Sequence, residues 1–174
     1  AINISTSGDK PTILFKDNYI TNPTGKGGAI YNIGTIGLYA VKETDSITFK
    51  GGVEPDKNDI DGICNTTLGA KTGVLNINGN ETGKKYAGTV NLYNVDGTGT
   101  TNIYGGTVNV NNRITQNIIN VNSGATLASN IDNVEIKADG TDGNLINDGT
   151  INITGANSRF GADHLTNNAT INIT

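Results

Sequence analysis

The segment Leu145-Ile-Asn-Asp-Gly-Thr-Ile-Asn-Ile-Thr154 returns as Leu165-Thr-Asn-Asn-Ala-Thr-Ile-Asn-Ile-Thr174. A fixed return of this kind marks a chain of stacked, similar units, none of which buries its apolar face alone. Looser copies of the same core run back along the chain. They are Gly73-Val-Leu-Asn-Ile-Asn78, Gly88-Thr-Val-Asn-Leu92, Thr101-Asn-Ile-Tyr104, Gly106-Thr-Val-Asn-Val110, Ile119-Asn-Val121 and Ala1-Ile-Asn-Ile4. Each alternates an aliphatic residue with Asn or Thr, the period-two pattern of a strand with one buried face. Strands this short and this frequent, parted by glycine, predict an all-β parallel β-solenoid (β-helix). Eight or nine turns of roughly 20 residues, at about 4.8 Å per turn, would make a rod roughly 40 Å long. In Thr150-Ile-Asn-Ile-Thr154 the isoleucines must point inward. Thr150, Asn152 and Thr154 then face outward, where like side chains stack into hydrogen-bonded ladders.

Composition narrows the class further. Gly, Asn and Thr supply roughly two-fifths of the 174 residues, a bias outside ordinary globular usage. Disorder is excluded because the aliphatics are periodic and Leu, Ile, Val and Phe stay above the roughly 20% typical of disordered chains. Ile and Val outnumber Leu roughly fourfold, which favours pleated strands over helices. The net charge is −4, and the 12 Lys and Arg residues form no cluster beyond Lys84-Lys85. Nucleic acid is therefore not an expected partner, since its recognition needs a basic footprint. No apolar run approaches the roughly 20 residues of a membrane span, so this segment is not expected to insert into a membrane. An export signal is absent from the start, which suits a chain whose signal peptide has been removed. Thr174 closes a repeat strand, and more chain or another subunit is expected to follow it. Cys64 is the sole cysteine, without metal-ligand spacing around it, and is expected to be a buried small hydrophobe.

Two textures divide what reads as a single β-helical domain over 1–174. Residues 1–72 are less regular and hold all three prolines, Pro11, Pro23 and Pro55, while 73–174 carry the regular repeat. The polar stretch Glu54-Pro-Asp-Lys-Asn-Asp-Ile-Asp-Gly62 predicts a protruding loop near 54–62.

Phe15-Lys-Asp-Asn18, followed by Gly27-Gly-Ala-Ile-Tyr31, is the second informative feature. Phe15 offers a ring to stack in the core and Asn18 a side chain to bond a corner backbone. Gly27 and Gly28 permit a tight bend, and Ala29 leaves room for it before the strand resumes at Ile30. Ile47-Thr-Phe-Lys50 is at most a decayed second copy. The pair resembles the F-x-x-N and G-G-A-[ILV] repeats of the polymorphic outer membrane proteins and related autotransporter adhesin passengers. The later G-T-[IV]-N-[IVL] repeats are similar to those of many Gram-negative autotransporter adhesins. This resemblance implies a right-handed parallel β-helix, displayed at the cell surface or secreted, whose usual work is adhesion.

Catalytic constellations are missing from the sequence. Inverting glycosidases need two carboxylates roughly 6.5–9.5 Å apart, and of the pectinase motifs only the fragment Arg113-Ile-Thr115 is present. The acids Asp56, Asp59, Asp61, Asp96, Asp132, Asp139, Asp142 and Asp148 are expected in glycine-rich turns, which aspartate caps. His164 is the only histidine, without a G-x-S-x-G elbow, and reads as a solvated loop residue. Asp59-Ile-Asp-Gly62 lacks the spacing of a calcium loop. No metal, cofactor or enzymatic activity is expected. Tyr39, Tyr93 and Tyr104 are the candidate contact residues. Counting from inward Val90, Leu92 and Ile103 puts Tyr93 and Tyr104 on the outside, where aromatics stack on sugars or anchor partners.

The leading expectation is a non-catalytic passenger acting as adhesin or stalk. Its partner would be a glycan or protein on a host or neighbouring-cell surface. An alternative is a subunit that associates end to end into filaments. Ice binding through the outward Thr and Asn ladders, and action on a polysaccharide, rank below both.

Overall fold

The computed structural model describes residues 2–8, 11–21, 24–52, 59–140 and 142–174. Ala1, Pro23 and residues 54–58 of the expected loop, with Asp56, lie outside the described residues. No helix occurs among those described.

The chain visits three faces in turn. It begins with β1 (Ile2–Ser5), β2 (Thr12–Phe15) and β3 (Ile30–Asn32), and repeats with β4 (Thr35–Tyr39), β5 (Ser46–Phe49) and β6 (Ile63–Asn65). A small antiparallel hairpin, β7 (Thr67–Leu68) with β8 (Lys71–Thr72), precedes β9 (Val74–Ile77). Next come β10 (Thr89–Asp96), β11 (Thr100–Ile103) and β12 (Gly106–Gln116). The long strands β10 and β12 turn from the second face onto the third without interruption. The series continues through β13 (Ile118–Val121), β14 (Ala125–Ser129) and β15 (Glu135–Ala138). It ends with β16 (Asn144–Asn147), β17 (Thr150–Ile153), β18 (Arg159–Ala162), β19 (His164–Asn167) and β20 (Thr170–Ile173).

Strand pairing then follows one rule. The first sheet runs β1-β4-β9-β11-β13-β16-β19 and the second β2-β5-β10-β12-β14-β17-β20. The third face links β3, β6, β10, β12, β15 and β18. Every pairing between these strands is parallel, as a β-solenoid requires.

Register places like on like. On the second sheet Ile13, Ile47, Val90, Val108, Leu127, Ile151 and Ile171 form one inward column. One position earlier, Thr12, Ser46, Thr89, Thr107, Thr126, Thr150 and Thr170 form an outward column of hydroxyls. Outward amides ladder along the axis, with Asn109 Nδ2 donating to Asn91 Oδ1 at 2.9 Å and Asn172 Nδ2 to Asn152 Oδ1 at 2.8 Å. Ile151 is fully buried and Ile153 nearly so, as the alternation of Thr150–Thr154 predicts.

The twenty-residue turn holds only locally. Asn172 and Asn152 are 20 residues apart, but Asn109 and Asn91 are 18, Asn102 and Asn76 are 26, and Asn91 and Thr48 are 43. Extra chain leaves at corners, notably between β9 and β10, so strands stay in register while the connections vary.

The Asp59–Gly62 stretch does not protrude. Asp61 is fully buried and its carboxylate gathers one corner. It accepts the backbone N–H groups of Asp17 (3.2 Å), Asn18 (2.9 Å) and Gly51 (3.2 Å), and the Asn18 side-chain amide at 2.9 Å. Asn18 thus bonds a carboxylate beside the corner as well as backbone. Gly27, at φ 81°, donates its N–H to Asp59 Oδ2 at 2.5 Å. A side chain at Gly28 would collide with the carbonyl oxygens of Asp59 and Asn18. Phe15 stacks on its register partner Phe49 at 4.3 Å and 3°, so Ile47-Thr-Phe-Lys50 occupies the equivalent place in the next turn. Ala29 and Ile30 pack against the core between these features.

Asp45 secures another corner. It accepts the Thr6 hydroxyl at 2.6 Å and the Lys42 N–H at 3.0 Å. Burial alone would push its carboxyl up. The hydrogen bonds from Thr6 and Lys42, with the Lys42 charge and the Val41 backbone, hold it below the ordinary value of 3.8.

Two outcomes test this architecture. Ile151→Asp buries a carboxylate between apolar layers and should cost on the order of several kcal/mol. Asn152→Asp, on the outward face, should cost roughly 1 kcal/mol. Because Ile151 and Ile171 are register partners, their substitutions should be non-additive in denaturant melts, whereas Ile151 and Ile4 should add. Independence of Ile151 and Ile171 would contradict the stacking.

The second outcome concerns acid. A carboxyl held below its unfolded value contributes stability in full above that unfolded value, and loses it as pH falls through the folded one. Asp45→Asn should therefore lower stability at neutral pH and flatten its decline below pH 4, roughly, in urea titrations. An unchanged acid limb would show that Asp45 does not carry it.

Candidate ligand-binding site

The outward surface of the first sheet carries two columns of polar and aromatic side chains. In the first, Asn76, Asn102, Asn120 and Ile146 are successive register partners. Asn102 Nδ2 donates to Asn76 Oδ1 at 3.0 Å and Asn120 Nδ2 to Asn102 Oδ1 at 2.8 Å. The ladder stops at Ile146, which has no donor, and Asn120 Oδ1 is buried without a hydrogen bond among the described residues. In the second column, just past the strand ends, stand Tyr104, Asn122 and Asp148. Asn122 donates its side-chain amide to the Ile103 carbonyl at 3.0 Å, and Asp148 accepts the Asn168 amide at 2.7 Å.

Between the columns lies a cavity of about 280 Å³, lined by Asn102, Tyr104, Asn120, Asn122, Ile146 and Asp148. Tyr104 is half-buried, its Cβ against Gly79, where any side chain would collide with it. Burial raises the Tyr104 hydroxyl above its ordinary 10.0, and the charges of Glu81 and Tyr39 act in the same direction. The excursion 79–87 that brings Gly79 here closes on itself through Gly79 and Lys85. It is pinned by Lys85 Nζ on the Ser123 carbonyl oxygen at 2.5 Å. It also lays Tyr86 beside Tyr39, ring centres 5.2 Å apart, with Lys84 Nζ 5.3 Å from the Tyr86 ring centre. Glycine at 37 leaves the space that the Tyr39 ring fills.

The structure separates the two tyrosines singled out from sequence. Tyr104 lines the cavity. Tyr93 lies on the second-to-third-face strand β10, with its ring against Gly51, which has room for no side chain. Both face outward, but only Tyr104 stands among the polar side chains that line this cavity. Tyr39 is closed over by Tyr86 and is 9% exposed. Sequence reasoning missed Asn120, Ile146 and Asp148. The available signal was Ile146, the position where Leu75-Asn-Ile77, Thr101-Asn-Ile103 and Ile119-Asn-Val121 give way to Leu145-Ile-Asn147.

A second cavity, about 300 Å³, opens on the third face beside Arg113, Glu135 and Arg159. These three are register partners of alternating charge. Arg113 is committed to Asp96 through two hydrogen bonds of 2.7 Å each, and the Asp96 side chain is only 4% exposed. That bond raises the guanidinium further above its ordinary value. Asp96 therefore ends a strand and holds an ion pair, where a glycine-rich turn was expected. Asp139 pairs with Lys137 at 2.7 Å. His164 opens strand β19, exposed, where a loop was expected. Cys64 is buried, and burial raises its thiol. Among the described residues no three His, Cys, Asp or Glu side chains converge as a metal site would need.

In comparisons with known proteins, no family model, no curated protein and no solved structure matches the chain.

Two measurements check the trough. Glu81→Gln should lower the Tyr104 ionisation midpoint in ultraviolet titration of the phenols, since it removes a negative charge that opposes phenolate formation. Gly79→Ala should shift the Tyr104 ring signals by nuclear magnetic resonance and leave Tyr93 unchanged. Equal perturbation of both tyrosines would mean that Tyr104 is not seated on Gly79.

Proposed function

We propose that the chain is part of a non-catalytic β-helical passenger, displayed or secreted by a Gram-negative bacterium, that acts as an adhesin or structural stalk. The motif pair Phe15–Asn18 and Gly27–Ile30 motivates the export route. The observation that carries the binding role is the trough at Tyr104 on the outer wall of a stiff, in-register stack. The non-catalytic part rests on how the candidate groups are used: Arg113 and Asp96 neutralise each other, and Asp59 and Asp61 hold turns. We read the coil as right-handed, with one turn for each of the seven strands of the first sheet. An even twenty-residue period would give eight or nine. The partner is a glycan or protein on a host or neighbouring-cell surface.

Beads carrying the purified chain test the role directly. They should adhere to cultured epithelial cells or to a bacterial lawn, and soluble chain should compete them off. Beads that clump with one another and ignore both surfaces would favour end-to-end association instead. The complete reading frame tests the route, with an export signal and a downstream outer-membrane β-barrel expected. A frame lacking both overturns it.

A further inference from the structure

Resting on that adhesive reading, we propose that the first-sheet trough binds a neutral sugar residue of a surface glycan. Tyr104 serves as the stacking platform, and Asn120 Oδ1 as the acceptor for a ring hydroxyl. The break in the amide ladder carries the inference. Asn76, Asn102 and Asn120 satisfy one another rung by rung, and a single Asn at position 146 would continue the series. Ile146 stands there instead, leaving a buried acceptor unpaired, a standing cost that folded chains ordinarily avoid. Ile146 is 38% exposed, so its side chain can turn aside without opening the core. A hydroxyl entering beside it completes the bond that the ladder lacks.

The remaining lining selects the chemical class. A sugar presents a C–H face, which packs on an aromatic ring and on an aliphatic side chain such as Ile146. It also presents hydroxyls that donate and accept, which suits Asn122 and Asp148. A peptide strand would need an open sheet edge to pair with, and the trough lies on the flat of a sheet between paired strands. Charge argues against an anionic sugar. Asp148 lines the cavity, Lys85 places its ammonium on the Ser123 carbonyl, and Lys84 sits over Tyr86. The volume of about 280 Å³ lies at the small end for ligand pockets, so one ring seats and the rest of the chain trails outside.

The experiment is saturation-transfer resonance and calorimetric titration of the chain with lactose, cellobiose and chitobiose as neutral probes, and sialyllactose as the acidic one. At least one neutral disaccharide should bind. Tyr104→Ala should weaken it about tenfold or more, and Tyr104→Phe should stay within about twofold. Ile146→Asn supplies the missing donor. It should weaken the sugar about tenfold while holding or raising the melting temperature, a combination that mere structural damage does not produce. Circular dichroism confirms the fold of each variant. Preference for sialyllactose, no binding to any probe, or neutral-sugar binding that survives both Tyr104→Ala and Ile146→Asn overturns the proposal. The bead assay separates the two readings. Parent beads that adhere no better than beads of either variant remove the sugar and leave adhesion standing. Parent beads that ignore cells while the chain binds sugar remove adhesion alone.

Discussion

Parallel, in-register pairing is the constraint on which everything else depends. Backbone hydrogen bonds run along the stack, so each residue meets its counterpart in the next turn and not a complementary surface elsewhere. A column is therefore stable only if its members tolerate themselves as neighbours. Aliphatics do so by packing, as in the column from Ile13 to Ile171, and amides by donating from one to the next. Charges do so only by alternating, as Arg113, Glu135 and Arg159 do, or by finding a partner one position aside, as Arg113 does in Asp96. The scarcity of charged residues in the repeat follows from this rule more than from any solubility requirement.

The same rule brings polar residues inside at the corners. The chain must bend three times per turn, and each bend frees backbone groups that no sheet satisfies. Inward amides take them up. Asn78 accepts the Ala40 N–H and donates to the Gly88 carbonyl, while Asn32, Asn65 and Gln116 form a second buried series. Gln116 shares its two amide hydrogens among the Asn65, Gly97 and Thr115 carbonyls. Asn147 shows how close the two roles lie. It follows Ile103 and Val121 in an inward column, and there an aliphatic column becomes a polar one serving the Gly149 corner. Such networks are costly if half satisfied, which explains why Asn is so abundant in a chain with so little surface charge.

Much of this was legible in the sequence, because the repeat itself encodes register. The alternation in Thr150–Thr154 gave the inward and outward faces, and the return at Thr170–Thr174 gave the register partners. What stayed hidden was the length of each turn. Turns of 18 and of 20 residues carry the same register, and chain inserted at a corner alters the spacing without altering any strand. The Asp59–Gly62 segment was misread for a related reason. Its polarity resembles that of an exposed loop, but its carboxylates are spent on backbone donors inside a corner, which local composition does not reveal. The outward placement of Tyr104 was legible, whereas its neighbours were not. Asn120 and Asp148 come from later turns, Asn120 after a short one of 18 residues and Asp148 after the longer connection between β13 and β16.

In a structure whose regular positions are explained by their own neighbours, departures from the repeat carry most of the information about binding. The hydroxyl column from Thr12 to Thr170 needs no ligand to account for it, since β-branched residues suit an outward strand position. Tyr93 is accounted for by Gly51, and Arg113 by Asp96. Ile146 is not accounted for in this way. It sits where an amide would pay the column's outstanding hydrogen bond, it gains little burial, and it borders a cavity with an aromatic wall. The excursion 79–87 is the second departure at the same place, since it supplies the seat for Tyr104 and a lysine tether across two turns. Two irregularities thus meet on one patch of an otherwise repetitive wall, and the proposed sugar site rests on their coincidence.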